Sequence, residues 1–254
     1  GGGWGRSYLR ATIFDQHTGM VEGERDETTG EFLKPVPGGD EEIATSADFH
    51  KIKPFVPFQH IQHYKLTSEN SFNLGSSKLD VTVGYQRNKR REFGNPDDIK
   101  EPEAFFDLET VNYTAKLNLP YRGAWRSSVG VTGMVQSNTN RAEEALIPNY
   151  NLFDLGGFFF TQYHRNKLSV SGGLRFDNRH VNGKEMLEDT DVKFAPFSKD
   201  FSNISGSAGL SYEATKALTL KLNVARGFRA PTLAELASNG AHEGTIRYEV
   251  GNND

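Results

Sequence analysis

The stretch ALTLKLNVARGFRAPTLAEL, residues 217–236, holds two kinds of pattern in twenty positions. Leu218, Leu220, Leu222 and Val224 alternate with Thr219, Lys221 and Asn223, so an extended chain puts one apolar and one polar face on a strand. The alternation stops at Arg226, and a different signal follows. Thr232 with Glu235 three residues on fits a capping box, Pro231 stands just ahead of the helix start, and Leu233, Ala234, Leu236 and Ala237 supply a turn or two. Asn239-Gly240 then offers a left-handed stop. The expectation is a strand ending at a rim, followed by a short capped helix over 232–238 inside a long loop.

The same period of two recurs along most of the chain. Leu79, Val81, Val83 and Tyr85 alternate with Lys78, Asp80, Thr82 and Gln86, and Val111, Tyr113, Ala115 and Leu117 with Asn112, Thr114 and Lys116. Leu168, Val170, Leu174 and Phe176 oppose Ser169, Ser171, Arg175 and Asp177, while Ile204, Ala208, Leu210 and Tyr212 oppose Ser205, Ser207 and Ser211. Ile246, Tyr248 and Val250 oppose Thr245, Arg247 and Glu249. Weaker runs lie at 125–136, at 153–164, around 4–16 and through PFQHIQHYKL, which brings the expected total to about ten strands.

The links between runs alternate in length. SFNLGSSK, PYRGA, RNK and ATKA are short, whereas roughly 17–56, 93–104, 138–152, 181–200 and 228–243 are long. Short links therefore gather at one end of a meandering sheet and long ones at the other, as in outer-membrane barrels with short periplasmic turns and longer extracellular loops. Several runs keep their period for ten or more residues, longer than the ~5 to 6 usual in globular strands. The polar face carries Asp80, Lys116, Arg175, Asp177, Lys221, Arg247 and Glu249. Small barrels fill themselves with apolar side chains, so a charged wall implies a wide, hydrated lumen. A soluble antiparallel sheet with its oily face packed inside is the alternative.

Composition agrees with strands. The 254 residues include 26 Gly, 18 Phe and 9 Tyr, which favour pleated surfaces and turns over helices. No cysteine is present, excluding disulfides, thiolate metal sites and cysteine nucleophiles. A formal net charge of -4 gives no electrostatic basis for nucleic-acid binding. No apolar run reaches the ~20 residues of a membrane helix, a limit that does not apply to spanning strands.

At RGFRAPTLAEL, 226–236, the chain closely resembles the mid-barrel signature of TonB-dependent outer-membrane receptors. GYQRNKRREF at 84–93, VQSNTN at 135–140, LIPNY at 146–150 and GGLRFDNR at 172–179 resemble further family segments, in the family's order. The resemblance implies an all-β fold: residues 1–254 as part of an antiparallel transmembrane β-barrel of about 22 strands, without the plug domain and the closing strands. It also implies import of a scarce nutrient complex (siderophore-iron, heme, cobalamin or glycan) across the outer membrane of a Gram-negative cell, driven by the TonB complex. The alternatives are a passive porin and a secreted carbohydrate-binding β-protein.

Chemistry is sparse. His60 and His63 fall on opposite faces of one strand and cannot share an ion, and His242-Glu243 lacks the second His of an HExxH site, so no metal or cofactor is expected. No nucleophile–base spacing or carboxylate pair marks an enzyme. For ligand contact the expectation falls on Arg229, Asn239, His242 and Glu243, which surround the capped helix at the rim. Arg87, Lys89 and Arg91 continue the oily phase of Val83 and Tyr85 toward the long-loop end, where they would meet lipopolysaccharide head groups. Tyr85, Phe93, Phe105, Tyr113, Trp125, Tyr163, Phe201 and Phe228 are expected near strand ends, as interfacial girdles.

Overall fold

The computed structural model describes residues 2–20, 24–241 and 248–252. One antiparallel sheet dominates it. Its nine strands are β1 (Gly5–Gly19), β2 (Phe58–Leu74), β3 (Ser77–Phe93), β4 (Ala104–Asn118), β5 (Trp125–Asn140), β6 (Tyr150–Arg165), β7 (Leu168–Gly183), β8 (Phe197–Thr215) and β9 (Leu218–Arg226). Each strand pairs with its neighbours in chain order, and the edges β1 and β9 pair with nothing further among the described residues. Eight of the nine run for 15 to 19 residues, more than the ~9 to 11 that cross a bilayer.

The short links are tighter than the sequence pattern suggests. SFNLGSSK is mostly strand: only Gly75 and Ser76 turn between β2 and β3. Gly75 has φ +64 and Asn166, opening the two-residue turn between β6 and β7, has φ 53. Glycine reaches the left-handed region without a Cβ clash, and Asn is among the side chains that tolerate it best. The loops at the other end carry their own structure. Residues 20–57 hold a small hairpin, Leu33–Pro35 with Glu41–Ile43, and α1 (Ser46–Phe49), capped by Thr45 and Asp48. Residues 184–196 hold a second hairpin, Met186–Glu188 with Asp191–Phe194.

Two faces follow from the register. Tyr85 stands opposite Val111, Val111 opposite Val135 and Val135 opposite Phe153, so apolar side chains form continuous rows on one side. These side chains are solvent-exposed: Leu9 72%, Ile13 75%, Leu174 66%, Val224 66%. Among the described residues no second sheet or helix covers them, whereas a soluble sheet with its oily face packed inside would require such a cover. An apolar surface of this extent is stable only against another apolar phase.

The outward face changes character along each strand. Leu9, Ala11 and Ile13 give way to Asp15 and His17; Val83 and Tyr85 to Arg87 and Lys89; Val111 to Glu109 and Asp107; Phe176 to Asn178 and His180; Ile204 to Ser202 and Asp200. The oily part always lies on the short-turn side. The strands thus outlast the oily band and continue with a polar exterior toward the long loops. Gly133 in β5 makes room within the band: a Cβ there would collide with the Asp154 carbonyl and the Tyr113 hydroxyl. That hydroxyl, passing over Gly133, donates to the Asp154 carbonyl at 3.1 Å.

Nine of the expected runs join the sheet. Of the tenth, around 245–250, residues 245–247 lie outside the described residues, and Tyr248–Val250 pairs with Asn239–Ala241 in a separate two-stranded piece.

Candidate functional site

The inner face is polar over most of its area. Asp80 accepts from the Ser71 hydroxyl at 2.7 Å and the Asn118 amide at 2.8 Å, with Lys78 and Lys116 nearby. Thr114 and Thr132 share a hydrogen bond at 2.9 Å, and Gln86 donates to Asn112 at 3.0 Å. Arg175 pairs with Asp177 on its own strand, while Arg179 forks onto Asp154 of the neighbouring strand with bonds of 2.8 and 2.7 Å. Bidentate guanidinium–carboxylate pairing fixes both planes and leaves little free charge.

Toward the long loops this wall carries an apolar pad. Tyr150, Leu152 and Val181 are buried there, flanked by Leu108, Met134, Phe197 and Phe201. What covers the pad is α2 (Leu233–Ala237), through Leu233 and Leu236. The spacing of three places both leucines on one helix face. Arg179 further ties the approach to α2 by donating to the Pro231 carbonyl at 3.4 Å.

The helix start is built as the sequence implies. Thr232 is extended, its hydroxyl accepts from the Glu235 amide at 3.3 Å, and its own amide donates to Glu235 at 2.7 Å. Arg229 adds two bonds of 2.7 Å to the same carboxylate. These donors, Arg229 first and the Thr232 amide next, hold the Glu235 carboxyl down to about 2 from its ordinary 4.5. The helix end differs from expectation. Ser238 is extended at φ -64, ψ 139, and Asn239 enters a strand pairing instead of a left-handed stop. Its amide donates to the Leu146 carbonyl at 3.0 Å, so the next loop's backbone satisfies it.

Phe228, Arg229, Ala230 and Thr232 thus line a cavity with Asp154, Arg175, Asp177 and Arg179 on the inner wall. A polar-lined wall, an oily exterior without a partner among the described residues and a capped segment laid on the inner side together describe a stretch of barrel wall whose inner surface is covered in part by its own loop. The family model described as TonB dependent receptor-like, beta-barrel matches residues 11–254. The chain belongs to that family. No curated protein matches it. Receptors of this family are outer-membrane transporters of Gram-negative bacteria rather than enzymes, and their barrels are large and antiparallel.

The receptor barrel distributes the expected site residues unevenly. Arg229 faces the lumenal cavity but is spent on Glu235. Asn239 lies beyond the far end of α2, donating to the Lys193 carbonyl at 3.0 Å and accepting from the Tyr248 hydroxyl at 2.6 Å. His242 and Glu243 lie outside the described residues. Arg229 and Asn239 therefore sit at opposite ends of the helix and do not converge on one spot.

On the receptor's exterior, Arg87, Lys89 and Arg91 share the outward face, as their phase requires. Arg87 forks onto Asp107, a carboxylate whose side chain is only 2% exposed, and Arg141 closes on it from the other side at 2.6 Å. Arg91 donates to Gln62 at 3.0 Å and stands over the Phe105 ring. Lys89 has no ion pair among the described residues. Sequence reasoning missed Asp107 and Arg141 because their meeting depends on register across three strands, which no single run reveals.

The girdle expectation divides. Trp125 and Tyr163 pack at 5.1 Å on the outward face at the short-turn end, and Phe58 stacks on Phe93 at 4.6 Å near the long loops. Phe201 and Phe228 instead serve the inner side, one beside the apolar pad and the other in the cavity.

Proposed function

We propose that residues 1–254 are part of the barrel wall of an active importer for a scarce nutrient complex of the siderophore-iron, heme, cobalamin or glycan class. A plug domain and closing strands lie outside this stretch. The observation that carries this reading is the contrast between the exposed oily exterior and a charged inner wall on which the chain lays α2. Because Arg175, Arg179 and Arg229 are each matched by a carboxylate, the wall presents hydrogen-bonding groups with its charge locally cancelled. Such a surface suits a bulky complex of mixed polarity better than a simple anion. Arg229 and Asn239 flank the helix that a ligand would meet at the mouth, and His242 and Glu243, next in sequence, are proposed as further contacts.

Energy comes through the TonB complex acting on the plug. The complete receptor, supplied as the sole importer to a Gram-negative host, supports growth on one limiting source from a panel of ferric siderophore, heme, cobalamin and oligosaccharide. Deletion of TonB abolishes that growth. Growth that survives the deletion means passive diffusion through a porin and overturns the reading.

At the outer leaflet, Lys89 and Arg91, with Arg87 behind them, contact the phosphates of lipopolysaccharide, which charge-assisted hydrogen bonds favour. Lys89 is the leading contact because it has no carboxylate to leave among the described residues. Changing all three to Gln reduces lipopolysaccharide co-purifying with the receptor; unchanged retention refutes the assignment.

A further inference from the structure

Three side chains with metal-binding chemistry meet outside the lumen, at the loop ends of β1 and β2. His17 and His60 are direct cross-strand partners, and their rings stack at 3.9 Å with only 16° between planes. Asp15, two residues before His17, lies on the same outward face. Its Oδ1 is 2.9 Å from His60 Nε2 and 4.0 Å from His17 Nδ1. The other carboxylate oxygen accepts from Gln62 Nε2 at 2.8 Å, which turns the carboxylate toward the rings and holds it there. Ligand atoms from all three residues fall within 4.8 Å of one another.

Two imidazoles and one carboxylate form a donor set of intermediate softness, suited to zinc, nickel, copper(II) or cobalt(II). A tetrahedral ion with bonds of ~2.0 to 2.2 Å spaces its donors roughly 3.3 Å apart, so small side-chain rotations suffice and the strands need not move. Three protein ligands leave a coordination position open to water. Arg91, the cross-strand partner of His60, is drawn off by Gln62 Oε1 and the Phe105 ring. Gln62 therefore both steadies the carboxylate and diverts the guanidinium, a supporting arrangement of the kind that orients metal ligands.

We propose that Asp15, His17 and His60 bind a divalent transition-metal ion on the outer surface of the barrel, above the lipid-facing band. The ion joins β1 to β2 where the loop 20–57 leaves and re-enters the sheet, and so fastens the base of that loop. This site is separate from the lumen and independent of which nutrient is carried.

The test uses the complete receptor in detergent, stripped with a chelator and titrated with zinc chloride by calorimetry, with cobalt(II) absorption as a second readout. A saturable site is expected, with the strong visible bands of low-coordinate cobalt. His17→Asn with His60→Asn weakens zinc binding at least tenfold and returns the cobalt spectrum to that of the hydrated ion, while far-ultraviolet circular dichroism stays that of the barrel. Should the double variant fail to fold, Asp15→Asn alone weakens zinc binding and alters the cobalt bands. Equal zinc binding by the folded variant and the parent, or no saturable binding by the parent, shows the rings to be a cross-strand aromatic pair only and overturns the site.

Discussion

The receptor sheet has two apolar surfaces, and they have opposite fates. One is the outward ladder of Leu9, Ile13, Val83, Leu174 and Val224, left open among the described residues. The other is the inner pad of Tyr150, Leu152 and Val181, closed by Leu233 and Leu236 of α2. Both are built from the same residue types. The pad is an ordinary core, in which burial removes apolar area from water at roughly 25 cal/mol per Å². The ladder has no protein partner among the described residues, the arrangement expected of a face that meets acyl chains in an outer-membrane barrel. Apolar residues are thus placed for two different solvents on the two sides of one sheet.

The largest expected effect breaks the outward half of this comparison. Val83 stands mid-strand in β3, opposite Tyr113 and Ser68, with no protein cover. If lipid bathes it near the midplane, Val83→Arg in the intact receptor costs about 2 to 4 kcal/mol. Denaturant unfolding from lipid vesicles measures this. A negligible cost means that the position meets water, and the transmembrane assignment of this face fails.

A smaller effect sharpens the inward half. Leu236 is buried against the pad, and Leu236→Ala removes part of the contact that holds α2 down. The expected cost is ~2 kcal/mol, the low end for such truncations, because a surface helix can settle into the space left behind. The loss is local: amide exchange accelerates in 232–238 while the β5 to β7 amides keep their protection. Acceleration throughout the sheet would mean that the pad belongs to the barrel's global core, and the two-solvent contrast would be weaker than drawn.

How much of this was legible in the sequence depends on how far apart the cooperating residues lie. Period two along ALTLKLNVA or KLDVTVGY is a property of one strand, and it gave the faces and the alternation of short and long ends. The capping box is equally local, four consecutive residues, and Thr232 and Glu235 form it. The apolar pad was invisible because its members alternate with lumenal charges: Leu152 is followed at 154 by Asp, and Val181 follows Arg179 on the same face. The Asp107 clasp and the cluster of Asp15, His17 and His60 depend on register between strands separated by long loops. Testing His60 only against His63, within one strand, could not find His17. Asn239 missed its expected left-handed cap because the Leu146 carbonyl, from another loop, offered a better use for its amide.

The finest test concerns the carboxylate that holds the inner surface's lid in place. Glu235 accepts from Arg229 and from the Thr232 amide, and its carboxyl falls to about 2 in the folded loop from an ordinary 4.5. A carboxyl that binds its proton less readily when folded favours the docked loop wherever it is ionised. That contribution is complete above pH ~4.5, shrinks as the pH falls below it, and is gone once the pH passes through about 2. The pair is solvent-exposed, so the effect is modest, and added salt weakens it further. A spin label at the exposed Ala234 reads the mobility of α2 directly. The parent is expected to hold its ordered spectrum at pH 5 and to loosen between pH 4.5 and 2, whereas Glu235→Gln is already looser at pH 5 and changes little on acidification. Coincident curves for the two proteins would show that the leucine contacts alone seat the helix, leaving the capping carboxylate without influence on the loop.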